Sequence, residues 1–275
     1  MEHELWFTAL LNKLFAYLVT PLLMAISRLP HMTFVRPADP LHPIPNYLAG
    51  EIMVLLLIVV GAIVLRRKLS VENPGKFQMA MEIFFDFIRN LVDEVIGHGG
   101  RRYVPLIGTI GLFILLCNLE GLVPTLITPT ATVCVPVGCS VLVFLHYNFH
   151  GFRVKGVFGY LRHMAGPMVA IAPLFFLVEV FSSFFRMVSL TARLWGNMTA
   201  SVMVPGIFIS LGLNFYAFLM HSGWWKLLSP IGLAVVSIAF PLAFLVLHII
   251  EAALQAYVFM ILPAVYISLA ISEEH

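Results

Sequence analysis

Apolar residues come in long blocks along this chain, and the polar residues fall between the blocks or at helical spacing within them. Residues 51–65, EIMVLLLIVVGAIVL, form the first uninterrupted block and end at Arg66-Arg67-Lys68, which reads as a membrane span stopped by charge. The earlier stretch from Leu5 to Ile26 is mixed, interrupted by Lys13 and Pro21. It reads as an interfacial or peripheral helix rather than a full span. Residues 29–47 hold Pro30, Pro37, Pro40, Pro43 and Pro45, a spacing that excludes a helix and predicts an extended connector.

Asn73-Pro74 then opens a helix, with Asn as cap and Pro in the first turn. Phe77, Met81, Phe84, Ile88, Leu91 and Val95 recur at helical spacing, with Lys76, Glu82, Asp86, Arg89 and Asp93 between them. This pattern predicts an amphipathic surface helix over 74–96, lying along the membrane and ending at Gly97-His98-Gly99-Gly100. A second span is expected from Val104 to Leu126, containing Asn118, Glu120 and Pro124, and a third from Ala131 to Tyr147. A basic loop with Arg153, Lys155, Arg162 and His163 is expected next.

Two apolar stretches, Pro167 to Met220 and Leu227 to Ile271, complete the chain. Each far exceeds the ~20 residues that cross a bilayer straight. They read as long tilted or kinked helices or as pairs of shorter ones, with Gly196, Pro205, Gly206 and Pro241 as candidate kinks. The join His221-Ser-Gly-Trp-Trp-Lys226 carries the paired tryptophans of a membrane interface. The expected architecture is an all-α integral membrane protein whose two long C-terminal helices form a hairpin. Its expected parts are 1–50 (peripheral helix and connector), 51–165 (first spans and the surface helix) and 166–275 (the hairpin).

Composition agrees. Of the 275 residues 60% are hydrophobic and 11% charged, where a soluble domain carries about 25% charged residues. The net charge of +2 argues against nucleic acid as a partner. Cys117, Cys134 and Cys139 read as small buried hydrophobes, and no histidine or cysteine has metal-ligand spacing. Met1-Glu-His-Glu-Leu lacks the positive region that opens a signal peptide. Lysine and arginine number seven in residues 66–102 and three in 153–162, which places those loops in the cytoplasm, the N-terminus outside and the C-terminus inside. No internal repeat, phosphate-cradling loop or nucleophile elbow is present.

The candidate chemistry lies in the long stretches. On a helix, Glu179, Ser182, Arg186, Ser189, Arg193, Asn197 and Ser201 form one polar stripe along about six turns. A guanidinium does not lose its proton in a protein, and holding it at mid-bilayer costs at least roughly 2.5–3.5 kcal/mol on insertion scales. Between Arg193 and Glu251 there is no Asp or Glu, so its counter-charge is expected from another chain. Asn197 would steady the guanidinium or bond a facing helix, and Glu179 and Arg186, seven apart, could be bridged. On the second long helix Ser237, His248, Glu251 and Gln255 share a side and can meet the first stripe if the two helices pack. Glu120 either lines a water-filled entry or sits at the outer end of its span; Asn118 reads as a helix contact, and His146 and His150 as interface markers.

The run Ser189-Leu-x-x-Arg193-Leu-x-Gly-Asn197-Met resembles the signature of subunit a of the F-type ATP synthase membrane sector. His248-Ile-Ile-Glu-Ala-Ala-Leu-Gln255-Ala-Tyr-Val-Phe, the terminal Tyr266-Ile-Ser-Leu-Ala and Asn118-Leu-x-Gly-Leu-Val-Pro124 fit the same family in the same order. The resemblance implies a proton-conducting stator in a bacterial inner membrane, beside a ring of c subunits and held by b-type stalk subunits. It implies two half-channels separated by Arg193, with His248, Gln255, Asn197, Glu179 and Arg186 on the proton path, to which the residues' own placement adds Glu251 and Glu120. Nucleotide chemistry would lie on partner subunits, and no cofactor or metal is implied. Many members carry a carboxylate or histidine nine residues after the arginine; here that position is Val202, and Glu251 is expected to take its role. Readings from other classes are a secondary transporter holding an anionic substrate at Arg193, and a structural membrane scaffold.

Overall fold

A computed structural model describes residues 5–27, 43–123, 126, 128–165, 171–222 and 230–271. The expected connector and the Trp-Trp join fall largely, and the C-terminal tail wholly, outside the described residues. What is described is helical throughout, as the spacing of apolar positions predicts. The α-helices are α1 (Trp6–Ser27), α2 (Asn46–Arg67), α3 (Lys76–Val95), α4 (Val104–Glu120), α5 (Cys134–Ala165), α6 (Ala172–Ser222) and α7 (Pro230–Ile271), with short 3-10 turns at His98–Tyr103 and Pro129–Ala131.

Among the described residues five helices are long and apolar enough to cross a membrane: α1, α2, Gly99–Glu120, Ala172–Ser201 of α6 and Leu242–Ile271 of α7. Helix α1 is among them and α5 is not, the reverse of the peripheral helix expected over Leu5–Ile26 and the span expected over Ala131–Tyr147. The polar His146, Asn148 and His150 interrupt the apolar run of α5, whereas α1 continues through Pro21 and has the length and composition of a span. Asn12 ties α1 to the entry of α2: its amide nitrogen donates to the Ile44 carbonyl at 3.3 Å and its oxygen accepts the Ile44 N–H at 3.0 Å.

Three expectations are corrected. Helix α3 starts at Lys76 after Gly75, with no side-chain cap, so Asn73-Pro74 precedes it rather than opening it. The turn is held instead by Gln78, which accepts the Ser70 N–H at 3.1 Å and donates to the Ser70 carbonyl at 2.9 Å. The second span ends at Glu120, and the backbone bends away through Gly121 well before Leu126. The expected basic loop is helical: α5 runs on past Tyr147 and breaks only at Gly156, where φ is +72°, a conformation glycine adopts at little cost. Beyond the break Tyr160 folds back over Gly151, which has no side chain to obstruct it, and its hydroxyl donates to Asn148 Oδ1 at 3.1 Å.

The main core lies where α3, α4, α5, α6 and α7 converge, with Ile88, Val92, Ile107, Ile114, Leu194 and Phe259 fully buried. Helices α6 and α7 have 51 and 42 residues. At 1.5 Å per residue they measure about 76 and 63 Å, more than twice the ~30 Å hydrocarbon thickness. Helix α6 packs chiefly along α5 and α7 chiefly along α4, and the two long helices touch each other only sparsely among the described residues. Close approach of α4 and α7 depends on Gly111, because a Cβ there would run into the Met260 side chain.

Candidate functional site

The polar residues of α4 and α7 meet in a buried chain. Helix α7 turns His248, Ala252, Gln255, Ala256 and Phe259 inward, a spacing of four, three, one and three that marks one face. The two alanines let that face come close to α4. Opposite it, Asn118 is fully buried at the end of α4, and its backbone carbonyl lies 3.0 Å from His248 Nε2. A carbonyl only accepts, so this contact places the proton on Nε2 and leaves Nδ1 of a neutral ring as the acceptor. The Thr130 hydroxyl, from the 3-10 turn that folds back over α4, donates to Asn118 Oδ1 at 2.6 Å. Sequence reasoning missed Thr130, since a lone threonine in a Pro-Thr loop carries no pattern of its own.

Glu120 closes the same end. It is buried, and its Oε2 has no hydrogen-bond partner among the described residues. It sits against Pro129 and Gly50 of α2; a Cβ at Gly50 would lie 3.1 Å from Oε1 of Glu120 and 2.8 Å from the proline ring. Both side-chain atoms of Gln255 and the amide nitrogen of Asn118 are likewise buried without partners. A buried polar atom left unbonded costs about 1–3 kcal/mol, so this cluster is an unusual concentration of polar groups for a helix interface. Glu251, half-buried, lies on α7 one turn from His248.

A second group lies at the start of α6. Arg186 donates from Nη2 to Glu179 Oε1 at 3.1 Å, the bridge their spacing allowed. The same guanidinium stands 5.6 Å from the centroid of the Tyr266 ring, which ties the pair to α7. Tyr266 in turn meets Tyr147 of α5 at 5.8 Å between centroids. Neither tyrosine is marked by charge or helical spacing in the sequence.

Among the described residues Arg193 makes no hydrogen bond or ion pair with either group, although its charge lies within electrostatic reach of Tyr266. Helix α6 buries Ser183, Leu190, Leu194 and Met198 toward the core, and the polar stripe lies off that face. On that stripe Arg193 is exposed, and among the described residues it has no carboxylate partner and no hydrogen bond. Asn197 is half-buried, with no hydrogen bond to Arg193. Among the described residues the stripes of α6 and α7 do not form one closed seam: the His248 chain is built on α4, and Arg193 is exposed. The side chains of Val202 and Ser237 lie outside the described residues.

The expected roles of the cysteines hold in part. Cys117 is buried and Cys139 half-buried, but Cys134 is exposed at the first residue of α5. All three are free thiols.

Comparison with known proteins bears on the whole chain. A protein-family model described as ATP synthase A chain matches residues 48–268. The protein named ATP synthase subunit a from Koribacter versatilis is 40% identical over 275 residues, covering 100% of both chains. Its counterparts from Solibacter usitatus and Aquifex aeolicus are 36% and 38% identical, covering 85% and 74% of this chain and 90% and 87% of their own. With a helical membrane architecture, an uncompensated arginine on α6 and a match running from α2 to α7, this chain belongs to the ATP synthase A chain family.

Proposed function

We propose that this chain is the proton-conducting stator of a rotary ATP synthase, in which Arg193 separates two half-channels that load and unload carboxylates on a neighbouring c ring. The observation that carries this reading is the guanidinium of Arg193, exposed on a helix apolar enough to cross a membrane and without a carboxylate among the described residues. A permanent charge held there needs an acid from outside the chain.

The physics is direct. A carboxyl group facing lipid stays protonated, because desolvation disfavours its charged form, whereas a cation at close range favours ionisation. A passing acid releases its proton at Arg193 and cannot move on into lipid until it is reprotonated. A proton entering from one side rides nearly the full circle before leaving by the other. Each charge that crosses yields about 2.3 kcal/mol per 100 mV. The fixed positive charge also blocks direct leakage between the half-channels.

One half-channel is supported by the buried, bonded residues Thr130, Asn118 and His248, with the buried Glu120 at the same end of α4 and the half-buried Glu251 one turn along α7. Nδ1 of His248 is its proton acceptor, and Glu251 replaces the acidic group absent at Val202. The other is supported by Glu179, Arg186 and Tyr266, where α6 begins. Asn197, one turn from Arg193, carries the polar surface beside the arginine, and the buried Gln255 lies at the inner end of the α7 polar face. The chain lies in a bacterial inner membrane with its N-terminus outside and C-terminus in the cytoplasm, b-type stalk subunits hold it against the ring, and nucleotide chemistry belongs to partner subunits.

The test is coupled proton transport by the assembled complex in sealed vesicles. Loss of ATP-driven acidification in Arg193→Ala, with the complex intact, is expected; wild-type acidification by that variant refutes the reading.

A further inference from the structure

Helix α5 carries a cluster of cationic and imidazole side chains that neither half-channel uses. His146 and His150, one turn apart, have ring centroids 4.4 Å apart. The His150 ring meets Tyr103 at 4.9 Å in an edge-on arrangement, and the guanidinium of Arg102 lies 4.8 Å from the centroid of the same tyrosine. Arg153 follows His150 by three residues, on the same side of the helix. Arg101 is spoken for by Asp93 at 3.4 Å, but among the described residues no carboxylate pairs with Arg102 or Arg153. Burial, and then the nearby His146, Arg102 and Arg153, lower the proton affinity of His150. The cluster thus has positive charge in surplus, ordered by ring contacts and balanced by nothing nearby in the described chain.

Below the cluster an open groove of about 760 Å³ runs along α5, lined by Gly138, Leu142, Leu145, His146 and Phe149, with Leu106 of α4 across from them. Gly138 to Phe152 is about 21 Å along the helix at 1.5 Å per residue. That is enough to cover one leaflet of a hydrocarbon core about 30 Å thick. Asn148, the polar residue of the lining besides His146, already donates to the Phe144 carbonyl at 2.7 Å and accepts from Tyr160. The groove is therefore lined almost wholly by apolar side chains, and His146 of its lining belongs to the cationic cluster.

We propose that this groove is a binding site for an anionic phospholipid, with an acyl chain along Gly138–Phe149 and the headgroup phosphate held by Arg102, Arg153 and the His146–His150 pair. Guanidinium groups match phosphate oxygens in paired geometry, and basic pockets at the membrane surface select anionic headgroups. A transmembrane helix of a stalk subunit could cover the apolar lining but would leave the cations without an anion. The site does not depend on the proton path or on the orientation of the chain.

The experiment uses the intact complex in phosphatidylcholine vesicles doped with a photoactivatable lipid, reading adducts on the peptide holding residues 138–152. Photoactivatable phosphatidylglycerol should label it several-fold more than photoactivatable phosphatidylcholine. Unlabelled phosphatidylglycerol should compete, and inorganic phosphate should not. The double variant Arg102→Gln with Arg153→Gln should bring the two labels to parity while proton pumping stays near wild type. Equal labelling by the two lipids in the unmodified complex overturns the proposal whatever the variant does. So does competition by inorganic phosphate as strong as by the lipid, or a photo-crosslinker at Leu142 that captures a stalk polypeptide instead of lipid.

Discussion

Nε2 of His248 and the backbone carbonyl of Asn118 lie 3.0 Å apart although 130 residues separate them in the chain. That contact joins α7 to the end of α4 and decides which ring nitrogen can take up a proton. Because the partner is backbone, no side-chain substitution at 118 removes the acceptor itself. His248→Gln can keep the donor bond to the carbonyl but has no basic nitrogen. It should therefore assemble normally and conduct protons poorly, measured as ATP-driven acidification in vesicles; full conduction by this variant would place the acceptor elsewhere.

Arg193→Ala should abolish both coupled synthesis and ATP-driven pumping while the complex still purifies intact, because the side chain makes no bond within the described chain that assembly would need. Arg193→Lys should fail or nearly fail. Lysine is compact, can be deprotonated and lacks the planar fork of donors. Parallel measurements of ATP synthesis and of subunit content by gel decide the matter.

Glu251→Gln removes an ionisable group one turn from His248 and keeps the volume. A marked loss of proton flux is expected, read from the decay of an imposed pH gradient through the membrane sector. Unchanged flux would shift the relay to His248 or Glu120 alone.

Thr130→Val keeps the shape of the turn but deletes the hydroxyl that donates to Asn118 Oδ1 at 2.6 Å. Leaving that buried oxygen unbonded should cost about 1–3 kcal/mol and lower the melting temperature in detergent. Thr130→Ser should restore it. Equal melting of valine and wild-type forms would show the bond to be dispensable.

Gly111→Val would force a branched side chain into Met260, where α7 packs against α4. Overpacking of this kind costs about 1–3 kcal/mol. The expected outcome is less complex recovered from membranes, together with slower proton flux, since the His248–Asn118 contact lies along the same pair of helices. Gly75→Ala is the matching control: no atom lies within 4 Å of a Cβ there, its φ of −69° suits alanine, and recovery should be unchanged.

Much of this protein was legible in its sequence, for a physical reason. Burial in lipid demands long apolar helices, and a charge inside one is costly enough to stand out. The blocks from residue 51 onward, the amphipathic pattern of Phe77 to Val95 and the outlying Arg193 could be read from spacing and composition alone. So could the possible bridge between Glu179 and Arg186, because both lie on one helix. What spacing within a helix cannot supply is which helices touch. Tertiary packing alone set α7 against α4 and α6 against α5, turned Glu120 toward Gly50 and Pro129, and brought Thr130 and the Asn118 carbonyl to His248. It also extended α5 beyond Tyr147, where local polarity suggested a loop, and the break at Gly156 brings Tyr160 back onto Gly151. Periodicity records which face of a helix avoids water; the neighbour on that face is chosen by contacts between residues far apart in the chain, where small side chains permit close approach.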